Sequence, residues 1–215
     1  MDMDLFAPHP SDNLLPFDGI VNDYGMVLHN DRDLYQQLLK QLPWQSDKVT
    51  LFGKTHITTR KIVWMGNSDN KDLLAYTYSG HTRSIQPWHE AVFHVKQLIE
   101  KKLYENKVNV DFNSCLLNYY PSGDEGLGYH ADDEPELGPQ PIIASLSLGA
   151  TRKFVLKHKN VQQKVELHLE SGQLIIMRGD TQQYWKHTVT KTKTVQEGRI
   201  SLTFRQMITS NHCFE

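Results

Sequence analysis

The second half of the chain leaves little freedom of fold. From about Val108 onward come seven short runs: SCLLNYY, IIASLSLG, RKFVLKHK, KVELHLE, QLIIMRG, QYWKHTVT and GRISLTFRQM. They are rich in β-branched, aliphatic and aromatic residues and are separated by turn formers such as Pro121, Gly123, Gly149, Gly172 and Gly179. No helix-period pattern intervenes. Short strands in such number bury their apolar faces by stacking as two sheets or closing a barrel, so the spacing predicts an all-β sandwich or jelly roll.

Upstream the texture differs. Residues 1–30, rich in Asp, Asn and Pro, read as an irregular lead-in. Leu34, Leu38, Leu39 and Leu42 form a helical stripe that Pro43 stops. KVTLFGKTHITTRKIVW (48–64) predicts a hairpin, and LLAYTYSG a further strand. PWHEAVFHVKQLIEKKLYEN predicts a helix with Pro87 in its first turn and Trp88, Val92, Val95 and Ile99 on one face. The chain thus divides into a lead-in (1–30), helices and hairpins (31–107) and a β-core (108–215), all within one compact domain.

Composition narrows the class. With 39% apolar and 22% charged residues, the 215-residue chain has the balance of a globular protein with a real core. The net charge of −2 decides nothing about a polyanionic partner, so charge must be read locally. Two cysteines, Cys115 and Cys213, can build neither a disulfide framework nor a four-cysteine zinc site, and they fit a reducing compartment. The N-terminus carries acids where a secretory leader has basic residues, and no apolar run approaches the roughly 20 residues that cross a bilayer. The expectation is a cytoplasmic protein, nuclear if its host has a nucleus, with no membrane partner.

Within the β-core, GYHADDE places His130 two residues before Asp132, a spacing that puts both side chains on one face of an extended chain. QYWKHTVT offers His187 as a third ligand. Two histidines and a carboxylate occupy one face of an octahedral ion and leave the others open, as non-haem Fe(II) chemistry requires; zinc takes such a set too, so the trio alone does not choose the metal. Among 11 histidines a lone H-x-D is weak evidence. His89 and His94 imitate a zinc-protease helix, but five residues separate them where that motif needs four. Arg178-Gly179-Asp180 reads as a turn.

The last strand adds weight. Ile200, Leu202 and Phe204 share one face of GRISLTFR, and Arg199, Ser201, Thr203 and Arg205 the other. Two arginines near a sheet centre are costly unless an anion neutralises them, and a small dicarboxylate would do so through bidentate pairing. Two solvated arginines on a surface strand would read the same from this segment alone. Beside the metal trio, coincidence becomes a poor explanation.

These residues resemble the AlkB family of Fe(II)- and 2-oxoglutarate-dependent dioxygenases, most closely its members that repair alkylated duplex DNA. The resemblance runs from Val49 to Met207 through LFGKTH, YTYSG, PW, LLNYYPSGD, HADDEPEL, ASLSLGATRKFVLKHK and RISLTFR, and leaves residues 1–30 uncovered. It implies a double-stranded β-helix (jelly-roll) core, mainly β with flanking helices, under an N-terminal helix and β-hairpin lid that recognises the nucleotide. It implies that His130, Asp132 and His187 hold Fe(II), with O2 as a further cosubstrate. Asn118, Tyr120, Arg199, Thr203 and Arg205 would hold 2-oxoglutarate, Arg205 taking its distal carboxylate and Arg199 lying nearer the iron and Asp132. Asp133 and Glu134 would touch the substrate nucleotide, with Tyr76, Thr77 and Tyr78 as the wall of the base pocket. Tyr78 departs from the duplex-repair subgroup, where phenylalanine is usual, which keeps stacking and leaves fine preference open. Phe52, Gly53 and Lys54 would form the hairpin tip that inserts a ring into the duplex, although Phe52 could equally pack on the core.

The implied activity is oxidative demethylation of N1-methyladenine and N3-methylcytosine in DNA by a monomer. Rivals are the same chemistry on RNA or protein, and a metal-binding β-barrel without turnover. Three stretches could meet phosphates: Lys48, Lys54, Arg60 and Lys61; Arg152, Lys153, Lys157, Lys159 and Lys164; and Lys186, Lys191 and Lys193.

Overall fold

The computed structural model describes residues 9–51, 54–67, 75–78 and 81–208. The N-terminal half contains β1 (Ile20–Met26), α1 (Asp31–Gln41), β2 (Gln45–Leu51), β3 (Lys54–Gly66), β4 (Ala75–Tyr78), β5 (His81–Ser84) and α2 (Glu90–Glu105). After it come β6 (Ser114–Tyr120), β7 (Leu127–His130), β8 (Ile143–Gly149), β9 (Arg152–His158) and β10 (Lys164–Leu169). The chain then forms β11 (Gln173–Arg178), the short α3 (Thr181–Tyr184), β12 (Trp185–Val189) and β13 (Arg199–Arg205). One antiparallel sheet runs in the order β1-β11-β8-β13-β6-β3-β2, and a smaller one β10-β9-β12-β7; β4 and β5 pair by themselves. This is the two-sheet jelly roll expected, with six of the seven runs entering as anticipated and QYWKHTVT only from Trp185 onward, its Tyr184 belonging to α3.

β13 is the central strand of the larger sheet and is buried along its whole length. Ile200, Leu202 and Phe204 join Leu34 and Leu38 of α1 and Val92, Val95, Ile99 and Leu103 of α2 in one apolar cluster. The helices therefore cover one face of the sheet. The smaller sheet covers the other, where Phe154, Leu156, Trp185 and Val189 meet Tyr120, Ile143, Ile175 and Met177. A strand buried on both faces can carry arginine only where something inside receives it, which makes the Arg199–Arg205 face the place to look for a site.

Two N-terminal expectations are corrected. Residues 20–26 are not irregular: they form β1 on the edge of the large sheet, paired with β11. Their polarity misled because each buried polar group has a partner. Asn22 accepts from Arg178 Nε (3.0 Å) and donates to the Asp12 carbonyl, and Asp23 accepts from Gln173 Nε2 (2.7 Å). Pro87 lies outside α2, whose N-cap is His89; its ring Nδ1 accepts from the Ala91 N–H, satisfying one of the helix's open donors. No helix among the described residues is long and apolar enough to cross a membrane. Cys115 is buried, and Cys213 lies outside the described residues.

Candidate active site

β7 and β12 run antiparallel with His130 directly opposite His187, and their ring centroids are 4.2 Å apart. Asp132 follows two residues beyond β7, 3% exposed, with Oδ1 3.7 Å from His130 Nε2. One candidate ligand atom from each of the three lies within 4.8 Å of the others. His130 Nδ1 donates to the Gly128 carbonyl (2.9 Å), which leaves Nε2 with its lone pair toward the group. Phe154 stacks on His187 at 5.3 Å.

Electrostatics prepares these groups as ligands. Burial, reinforced by His130 and Arg205 and opposed by Asp132, pushes the His187 pKa down to about 3, so its imidazole is neutral near pH 7. Burial alone would raise Asp132. The Arg205 charge, then His187 and His130, and the hydrogen bond from Arg205 together hold its carboxyl well below the usual range. Both are thus deprotonated without help from a metal.

Facing them is the polar side of β13. Arg205 Nη2 bonds Asp132 Oδ2 at 2.8 Å, both side chains buried. Arg199, 1% exposed, donates through Nη2 to Ser147 Oγ (2.9 Å) and lies over the Tyr120 ring at 5.6 Å. Its Nε and Nη1 have no hydrogen-bond partner among the described residues. Burial lowers its pKa to about 10, so the guanidinium remains charged. The expected placement of the arginines is therefore corrected: Arg205, and not Arg199, lies against Asp132, while Arg199 is bonded to Ser147. Alternation fixed the shared face, but the direction of β13 relative to the His130 turn is a tertiary fact.

Asn118, Tyr120, Arg199, Ser201, Thr203 and Arg205 line one cavity together with His130, Asp132 and His187; its empty volume is about 640 Å³, open mouth included. An inward guanidinium with two open donors, in the same cavity as a His-Asp-His set, fits a carboxylate-bearing metal chelator such as 2-oxoglutarate beside a divalent ion.

Other expectations divide. Glu134 lines the cavity; Asp133 does not, and its exposed carboxylate is 3.3 Å from Lys159 Nζ. Phe52 and Gly53 lie outside the described residues, while Lys54 is placed at the start of β3, and Tyr76, Thr77 and Tyr78 within β4. Two members of the basic stretches prove internal. Arg152 is buried and donates to the carbonyls of Ser122, Gly123, Glu125 and Thr190. Arg60, also buried, lines the cavity; it ion-pairs with Asp47 and donates through Nη1 to Asn118 Oδ1 at 2.7 Å. That bond aims the Asn118 amide, a role the sequence did not signal. A shift of strand register between Ser46 and Lys48 accompanies the pairing and turns Asp47 inward.

Comparison with known proteins agrees with the site. The 2OG-Fe(II) oxygenase superfamily profile matches residues 27–205. Human alkB homolog 3, an "alpha-ketoglutarate-dependent dioxygenase", is 37% identical over 182 residues, covering 80% of this chain and 60% of the relative. The human "DNA oxidative demethylase ALKBH2" is 33% identical over 187 residues, covering 82% of this chain and 68% of the relative. The chain thus spans about 60% of the length of the homolog 3 proteins it matches. The solved structure of OsALKBH1 shares the fold, with a TM-score of 0.60 at 21% identity over 89% of this chain and 99% of that one.

Proposed function

The chain belongs to the AlkB family of the 2OG-Fe(II) oxygenase superfamily, and from that membership we propose that it oxidatively demethylates alkylated nucleobases in DNA. The carrying observation is a single cavity that joins a His-Asp-His set to a buried guanidinium with open donors. His130 Nε2, His187 and Asp132 would hold Fe(II). Arg199 would receive the distal carboxylate of 2-oxoglutarate, with Tyr120, Asn118 and Thr203 lining its path. When bound, Fe(II) with 2-oxoglutarate and O2 supplies the oxidation that converts an N-methyl group to N-hydroxymethyl, with succinate and CO2 as co-products. The hydroxymethyl group then leaves as formaldehyde and the base regains its ring nitrogen.

The chain's own residues set the conditions. Arg205 neutralises one oxygen of Asp132 and leaves the other for the metal. N1-methyladenine and N3-methylcytosine are cations, and Glu134 at the cavity wall favours them electrostatically over neutral bases. Asp133, engaged by Lys159, is the lesser contact. Phe52, Gly53 and Lys54 at the hairpin tip would stabilise the gap left by a flipped base, and Tyr76, Thr77 and Tyr78 would wall the base itself. The protein would act as a monomer, in the cytoplasm or, in a eukaryote, the nucleus.

The test is anaerobic loading with Fe(II) and 2-oxoglutarate, then admission of O2 with matched single- and double-stranded oligonucleotides carrying N1-methyladenine. The expected result is loss of the methyl group with one formaldehyde per methyl. Conversion of 2-oxoglutarate to succinate without demethylation would redirect the reading to RNA or protein substrates. Absence of both products would leave only a metal-binding barrel.

A further inference from the structure

We propose that Gln182 is a positioning residue for the metal site: its side-chain amide fixes the backbone from which Asp132 hangs. The inference rests on the reading of His130, Asp132 and His187 as a metal site. β7 ends at His130, so strand pairing places His130 against His187 and stops short of Asp132. Arg205 holds Oδ2 of Asp132, but one bond to one oxygen does not fix the direction of Oδ1. That direction follows from the backbone, and the buried Asp132 N–H finds its acceptor in Gln182 Oε1 at 2.9 Å.

Gln182 is suited to the task. It is 2% exposed, on α3, five residues before His187. Its Nε2 faces Met177 Sδ at 3.6 Å, a weak acceptor, whereas the reversed amide would set two donors against each other at Asp132. Its backbone carbonyl accepts Lys159 Nζ at 2.9 Å, and the same ammonium reaches Asp133 Oδ2 at 3.3 Å. Residue 182 is therefore tied to two consecutive residues of the turn, once through its side chain and once through Lys159. The segment that carries His187 also supports the other protein element of the site.

The test compares the wild-type protein with Gln182→Met, which keeps the length and loses the acceptor, and Gln182→Glu, which keeps the acceptor. Co(II) alone is the probe, titrated calorimetrically, with circular dichroism as the check on folding. The expected result is a dissociation constant raised about 10-fold or more in Gln182→Met and within about 3-fold of wild type in Gln182→Glu. Equal affinities in wild type and Gln182→Met would overturn the proposal. So would equal weakening in both variants, which would mark a packing role. Hydrogen exchange at the Asp132 amide in metal-free wild-type protein decides independently of how the variants fold: slow exchange supports the tie, and exchange at the rate of a solvated turn refutes it. If wild type itself bound no Co(II), the metal reading would fall while the exchange rate still judged the Gln182 bond.

Discussion

His187 and Asp132 are displaced from ordinary titration in the same direction, and for different reasons. His187 is buried beside other positive groups, so its folded pKa falls from 6.5 to about 3. An unfolded chain takes up that proton near pH 6.5 and the folded one only near 3, so between these values the unfolded state holds the extra proton. Acidification across that window favours unfolding. Asp132 acts with it lower down: Arg205 overcomes burial and keeps its carboxyl below the usual range, so its stabilisation is present above the unfolded value near 3.8 and is lost as pH falls further. The thermal midpoint of metal-free protein should therefore fall from pH 6.5 to 4, and His187→Asn should flatten that slope. An equally steep slope in the variant would place the responsible group elsewhere. At this scale the sequence was informative about identity and blind to direction. H-x-D and the R-x-S-x-T-x-R alternation named both faces of the site, yet which arginine meets Asp132 depends on how two distant strands lie across each other.

Elements were legible where a period could be counted and illegible where polar groups found partners inside. β13 announced itself through strict alternation, and α1 through its leucine stripe. β1 did not, because Asn22 and Asp23 look like loop residues until Arg178 and Gln173 are seen to satisfy them. Arg152 is the same lesson in a basic stretch. Its guanidinium gathers the β6–β7 connection at Ser122, Gly123 and Glu125, and joins it to Thr190 just past β12. The strands that bear His130 and His187 are thereby tied at one end by a single side chain. The connection packs closely on the chain beyond β12, where a Cβ at Gly123 would run into the Thr192 carbonyl oxygen. Arg152→Met should cost roughly 3 kcal/mol or more, because several charge-assisted bonds disappear and the part-buried carbonyls of Ser122, Glu125 and Thr190 lose this donor. Urea denaturation measures this, and a loss below about 0.5 kcal/mol, ordinary for a surface change, would contradict the clamp.

Over the whole molecule, one face remains electrostatically uncomfortable. Register places Lys157 of β9 between Lys164 of β10 and Lys186 of β12, and all three are exposed on the outer side of the small sheet. Like charges directly across a ladder destabilise a sheet. Glu166, on the same strand as Lys164, is already bonded to Lys153 at 2.8 Å. Inner residues of the same strands, Phe154 and His187, line the active-site cavity, so the lysine row lies one sheet thickness from the chemistry. A polyanion laid along this face would relieve the repulsion. Replacing Lys157, Lys164 and Lys186 together by Gln should therefore weaken oligonucleotide binding. It should also reduce the slope of log affinity against log salt by as much as about 2–3, close to one unit for each phosphate that is no longer neutralised. Metal and 2-oxoglutarate binding should be unchanged, and the thermal midpoint equal or slightly higher, because the variant removes a repulsion rather than an attraction. An unaltered salt slope would show that phosphates cross the molecule elsewhere. Lys191 and Lys193, exposed beyond β12, would then be the next candidates.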